Sequence, residues 1–157
     1  MRRAPQSRPV LHVAEPPSAY AARPPLVVDA TVFAALVFFE TEHIVARATV
    51  QARALHAPHL IDYELANVAL KKMKRERRTV KSAVDALDAF KSFVVTRHEI
   101  RSNEVLALAT EYGLTAYDAS YLWLAGELGT PLATFDAKLA AAALKYLGDP
   151  DQPTSDA

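Results

Sequence analysis

The sequence predicts an α/β fold, a short and mainly parallel sheet with helices covering both faces. Three observations lead there. Apolar residues make up 51% of the 157 residues, enough for one domain with a real core. Short β-branched apolar runs such as Leu26-Val27-Val28 have the composition of buried parallel strands. Stretches with helical spacing alternate with these runs along the chain.

The body opens with PLVVDA, a strand over Leu26–Val28 that ends in Asp29, and ATVFAALVFF follows as a helix. Thr41 precedes a second amphipathic helix running to about Ala54. Ala57–Ile61 reads as a short strand, and Asp62 opens DYELANVALKKMKRERR, where Leu65, Val68, Ala69 and Met73 keep helical spacing. Thr79 starts the helix VKSAVDALDAFK, and Ser92–Thr96 reads as a strand. Ser102 is placed to cap NEVLALATEYG, which Gly113 stops. Thr115 caps AYDASYLWLAGELG, stopped by Gly129. Pro131–Phe135 is the last strand, and AKLAAAALKYLG closes the body. The chain has no internal repeat.

The flanks differ from this body, residues 26–148. Residues 1–25 hold six of the ten prolines, four arginines and one acid, and read as an irregular or disordered arm. The arm lacks the apolar segment of a signal peptide. Residues 149–157 form a polar tail. There is no cysteine, so disulfides and thiolate metal sites are excluded. No window reaches the roughly 18 apolar residues of a membrane span, and a cytoplasmic protein without membrane contact is expected.

Four acids occupy the same kind of place. Asp29 and Asp136 each end a strand and open a helix, Glu64 lies in the first turn of the helix after the second strand, and Asp118 follows Thr115 by three residues. Each has a structural explanation of its own. Asp29 and Asp136 suit helix N-caps, Thr115 and Asp118 suit a capping box, and Glu64 suits the positive end of a helix dipole. In an open parallel sheet, however, the C-terminal strand ends share one edge, where ligands bind. Carboxylates converging there repel one another unless a hard cation neutralises them, and Mg²⁺ or Mn²⁺ takes such oxygen ligands. A divalent cation suits phosphodiester hydrolysis and needs no side-chain nucleophile. The sequence has no Gly-x-Ser-x-Gly and no glycine-rich phosphate loop. His56 and His59 flank Pro58 and read as loop or strand-edge residues. With the four acids set aside, residues 26–148 carry fourteen basic against ten acidic residues, a balance suited to an anionic substrate.

LVVDATVF, HLIDYELANVALK, LTAYDASYLWLA and PLATFDAKL resemble the four blocks of PIN-domain ribonucleases, most closely the toxins of VapBC toxin–antitoxin pairs. The resemblance runs from about Leu26 to Leu147. It implies a compact α/β/α sandwich and an Mg²⁺- or Mn²⁺-dependent endoribonuclease, held in check by a cognate antitoxin and paired as a homodimer. Carried over residue by residue, Asp29, Glu64, Asp118 and Asp136 match the family's acids. Thr31, Asn67 and Thr134 match polar positions beside them and are expected to orient the carboxylates. The long arm departs from the usual short pattern of these toxins.

Two segments have competing readings. Lys71, Lys72, Lys74, Arg75, Arg77 and Arg78 form a basic run that suits either a solvated helix end or contact with RNA phosphates. ATVFAALVFF is apolar all round, as a buried helix is. A part-exposed Phe33, Val37 or Phe38 would instead suit the antitoxin groove that the resemblance implies. Rival functions are a catalytically inactive PIN-like RNA-binding or assembly module, a DNA nuclease of the same superfamily, and a phosphoryl-accepting receiver domain. The first would have lost an acid. The second would carry DNA-gripping insertions. The third would want adjacent acids after the first strand, where Ala30 stands.

Overall fold

A computed structural model of the chain describes residues 23–148. The arm up to residue 22 and the tail, 149–157, lie outside the described residues. Four strands and seven helices follow one another: β1 (Pro25–Val28), α1 (Ala30–Val37), α2 (His43–Val50), β2 (Ala54–Pro58), α3 (Ile61–Glu76), α4 (Val80–Lys91), β3 (Val95–His98), α5 (Ser102–Tyr112), α6 (Ala116–Leu128), β4 (Leu132–Ala133) and α7 (Ala137–Leu147).

All strand pairs are parallel, in the order β3-β2-β1-β4. The chain steps outward from β1 to β2 to β3, then returns across the sheet to place β4 on the other side of β1. Because parallel crossovers are right-handed, that reversal puts α1 to α4 on one face and α5 and α6 on the other. The packing agrees. Helices α1, α3 and α4 contact one another, while α6 lies on β1 and β2 and contacts α5 and α7. The reversal also creates a switch point at the C-terminal ends of β1 and β4, where open α/β sheets leave a crevice.

Burial explains the composition of the elements. Leu26, Val27 and Val28 are at most 3% exposed, since β1 is an interior strand covered on both faces. Phe33 of α1 meets Phe90 and Phe93 edge-on, with centroids 4.9 and 5.6 Å apart. In α6, seven consecutive residues from Ala119 to Ala125 are buried, so its apolar character is not confined to one stripe.

Several sequence-based limits shift. The second helix stops at Val50, not Ala54. Ala52 turns the chain with φ +58°, and Ala54 pairs with Pro25 as the first residue of β2. The second strand accordingly spans Ala54–Pro58 rather than Ala57–Ile61. The third spans Val95–His98 rather than Ser92–Thr96, because Ser92 and Phe93 close the end of α4 by bonding back to Ala89 and Phe90. Arg101, not Ser102, precedes α5, and no side chain caps that helix. Phe33, Val37 and Phe38 are not part-exposed. All three are buried, Phe38 beneath Lys72 and Arg78. The exposed apolar side chains of this region are Phe39, Ile44 and Val45.

Candidate active site

The switch point holds a cleft of about 470 Å³. Asp29, Glu64, Asp118 and Asp136 all line it, with Thr31, Asn67 and Lys71 beside them. Asp29 directly follows β1. The neighbouring β4 spans only Leu132–Ala133 rather than Pro131–Phe135, so Asp136 comes three residues after it, at the start of α7. Glu64 comes from the first turn of α3. Asp118 has no strand before it. It is delivered by a helical hairpin. Gly113, at φ +63°, closes α5 in a conformation that favours glycine, and Thr115 starts α6 so that its first turn points back to the crevice.

Asp29 stands at the N-cap position of α1 but makes no side-chain cap bond. Its Oδ2 instead accepts hydroxyls from Thr31 at 2.7 Å and Thr134 at 2.8 Å. Both threonines also act as acceptors. Thr31 Oγ1 accepts from the Phe135 N–H at 3.0 Å, and Thr134 Oγ1 from the Asp136 N–H at 2.9 Å. Two hydroxyls thereby tie the β1 and β4 junctions together around one carboxylate. Burial raises the Asp29 carboxyl above its ordinary value, against the pull of the two hydroxyls.

Glu64 Oε2 accepts the hydroxyl of Tyr121, which is fully buried in α6. Burial pushes the Glu64 carboxyl up to about 7, with Tyr121 acting downward and the negative charges of Asp29 and Asp118 upward. The Tyr121 phenol is itself raised, first by burial and then by Glu64. Asp118 Oδ2 accepts from Thr115 Oγ1 at 2.7 Å, and the same oxygen of Thr115 accepts the Asp118 N–H at 3.1 Å. Asp136 Oδ1 accepts the Leu139 N–H at 2.7 Å, so this acid caps α7 while it lines the cleft.

The donors of the cleft are carboxylate, hydroxyl and amide oxygens, with neither sulfur nor imidazole among them. That set suits a hard cation. Among the described residues, no three His, Cys, Asp or Glu side chains are gathered into a ready-made cage. Spread carboxylates fit Mg²⁺, which keeps several waters and uses one or two protein carboxylates, better than a cation needing an all-protein shell.

Residues 26–145 match the family model of the PIN domain. The chain belongs to the PIN domain family. It is 38% identical over 120 residues to Ribonuclease VapC3 of Pyrobaculum aerophilum, an alignment covering 73% of this chain and 92% of that one. It is 32% identical over 115 residues to VapC ribonuclease Mb0985 of Mycobacterium bovis, covering 73% and 88%. The crystal structure of PAE2754 from Pyrobaculum aerophilum aligns with a TM-score of 0.61 at 29% identity, over 81% of this chain and 95% of that one.

Around this PIN domain's cleft, the basic run divides. Lys71 lines the cleft, and Lys74, Arg75 and Arg77 are exposed further along. Lys72 is committed to Glu40 at 2.5 Å and Glu76 at 3.0 Å, and Arg78 to Glu76 at 2.5 Å. Asn67 is exposed on the rim. Sequence patterns did not single out Tyr121, nor Glu40 and Glu42, which also line the cleft. Tyr121 carries a signal in hindsight: a phenol three residues beyond Asp118, inside a buried apolar helix, needs an acceptor. No described helix is long and apolar enough to cross a membrane.

Proposed function

We propose that this PIN domain is a metal-dependent endoribonuclease and the toxin of a toxin–antitoxin pair. The observation that carries this reading is the convergence of Asp29, Glu64, Asp118 and Asp136 from four separate elements on one cleft, with Asp29 and Glu64 raised by burial. The names of the VapC relatives support RNA as the substrate and a cognate antitoxin as the partner.

Asp29, Glu64, Asp118 and Asp136 would hold Mg²⁺ or Mn²⁺, directly or through water. When bound, such an ion lowers the pKa of water, orients it toward phosphorus and stabilises charge on the leaving oxygen. The chain's own residues aim the acids. Thr31 and Thr134 fix Asp29, Tyr121 fixes Glu64, and Thr115 fixes Asp118. Without a cation, Glu64 retains a proton over much of the neutral range, which lessens repulsion with Asp29 and Asp118. Lys71 offers a positive charge at the rim for a phosphate, and Lys74, Arg75 and Arg77 extend it for salt-dependent, sequence-blind contact.

Attack by water with departure of the 3′-oxygen leaves 5′-phosphate and 3′-hydroxyl ends. A route through the substrate 2′-hydroxyl would want imidazole acid–base groups, and no histidine lines the cleft. Labelled RNA incubated with Mg²⁺, Mn²⁺ or EDTA tests the reading. Cleavage should need the metal and leave the ends named; cleavage that persists in EDTA, or cyclic phosphate ends, would overturn it. The exposed Phe39, Ile44 and Val45 supply an apolar surface for the antitoxin. The unbound protein should be a homodimer, and light scattering that finds only the 17.2 kDa species would refute that.

A further inference from the structure

Charge alone does not draw a nucleic acid strand into the acid cleft. Carboxylates of Asp29, Glu40, Glu42, Glu64, Asp118 and Asp136 line it, against one basic side chain, Lys71. Glu40 is paired with Lys72, yet a divalent cation and Lys71 together still leave the lining negative. Away from the phosphate at the cation, a strand needs a contact that is indifferent to charge. Aromatic rings stand where that contact is needed. Three cleft acids are each preceded in the chain by an exposed aromatic residue: Tyr63 before Glu64, Tyr117 before Asp118 and Phe135 before Asp136. These residues are 79%, 65% and 40% exposed. Phe135 itself lines the cleft. Tyr63 lies one turn of α3 before Asn67 and two turns before Lys71, both lining residues, so it continues their stripe toward the start of the helix. Tyr117 lies one turn of α6 before Tyr121, whose hydroxyl meets Glu64. Helical side chains lean toward the N-terminus, which carries Tyr117 outward from that contact to the mouth of the cleft. One exposed ring is ordinary on a protein surface. Three, brought by three elements to one cleft, mark a binding surface.

We propose that Tyr63, Tyr117 and Phe135 form a stacking platform for unpaired RNA bases beside the cleaved phosphate, a specificity determinant that rests on the reading of the cleft as a ribonuclease site. Every base offers a π-face, so a ring accepts whichever base the strand presents, with little sequence preference. Stacking needs no counter-charge and supplies affinity where the carboxylates oppose it. It also selects the form of the RNA. In a duplex both faces of a base are covered by its neighbours, and a ring stacks only on a base splayed from its strand. Bases held on rings from three separate elements fix the phosphate between them over the acids, and Lys71 meets a neighbouring phosphate.

The test is fluorescence anisotropy of a short labelled ribo-oligonucleotide titrated, in Mg²⁺, with full-length Asp29→Asn protein, which spares the strand from cleavage. The single strand should bind at least about tenfold more tightly than its duplex with a complementary strand. In that background Tyr63→Leu, Tyr117→Leu and Phe135→Leu should each weaken binding at least about fivefold, while Tyr63→Phe, Tyr117→Phe and Phe135→Tyr, which keep a ring, should preserve it. The leucine variants should leave the salt dependence of binding unchanged, whereas Lys71→Ala should reduce its logarithmic slope by roughly 0.7. Should a leucine variant not fold, 5-iodouridine in the strand, which photocrosslinks to a stacked ring, should join to Tyr63, Tyr117 or Phe135 of the Asp29→Asn protein. Duplex bound as tightly as the single strand, folded leucine variants that bind as their parent does, or crosslinks mapped only elsewhere would overturn the platform and leave the rings to a protein contact. Cleavage by the unsubstituted protein is measured alongside: its absence with stacking intact would refute the ribonuclease reading alone, and cleavage without ring-dependent binding would refute the platform alone.

Discussion

The β1–α1 and β4–α7 junctions are written alike, strand then aspartate then helix, yet their aspartates do different work. Asp136 is exposed and gives one oxygen to the first turn of α7. Asp29 is 5% exposed, makes no side-chain cap bond and takes two threonine hydroxyls instead. The strands explain the difference. β1 is interior, with β2 and β4 on either side, whereas β4 is a two-residue edge. At the interior junction the carboxylate loses water, and its pKa rises. At the edge it stays solvated and serves as a cap. The pattern in the chain names the position; depth in the sheet decides what the acid does there.

The largest expected effect comes from neutralising the buried member. Asp29→Asn should lower cleavage at least about 100-fold, the scale for removing a charge-stabilising group from an active site. Its thermal midpoint should not fall, because an amide replaces a desolvated carboxylate. Near-normal cleavage by a folded Asp29→Asn would remove this residue from the site. Next is the bridge between the junctions. Thr134→Val deletes a donor to Asp29 and an acceptor for the Asp136 N–H at once. Activity should fall by about 10- to 100-fold, as for residues that orient metal-ligating groups, and full activity would show that Thr134 does not position Asp29.

Asp136 separates capping from chemistry. Asp136→Ala should cost about 1 kcal/mol of stability by loss of the cap, and Asp136→Asn should keep most of it. Both should cut cleavage, because both remove the charge. A pure cap would give a destabilised alanine variant and normal cleavage in both, which paired urea melts and rate assays would reveal.

The smallest effect is on pH. Glu64 lies at about 7 in the folded chain and has an ordinary value of 4.5. Between these values the folded state binds more protons, so the stability contribution is full below the lower value and is lost as pH rises through the upper one. In EDTA, the urea midpoint should therefore be lower at pH 8 than at pH 5.5, and Mg²⁺ or Mn²⁺ should recover it at pH 8. Tyr121→Phe removes the bond that acts downward on Glu64, so the falling limb should move to higher pH. A midpoint independent of both pH and metal would mean that Glu64 is not held under this electrostatic load.

Much of this was legible from neighbours in the chain. The alternation of runs yields the α/β class, Thr79 and Thr115 cap as their positions suggest, and Gly113 and Gly129 end their helices at positive φ. Those signals are local: a cap and its amide are three residues apart, and a strand's composition reflects its own burial. The four acids were legible too, because each stands next to a strand end or helix start that the sequence marks. The bond from Tyr121 to Glu64 joins residues 57 apart, and that from Thr134 to Asp29 joins residues 105 apart. Neither can be read from spacing; the resemblance alone pointed to Thr134. Strand limits moved for a related reason, since Ala54 and His98 are strand residues through their partners Pro25 and Pro58. The burial of Phe33 and Phe38, the commitment of Lys72 to Glu40 and the meeting of His56 with His98 likewise needed the third dimension. Only the assembled sheet and its packed helices set how deep each side chain lies, and depth is what raised Asp29 and Glu64 while leaving Asp136 a solvated cap.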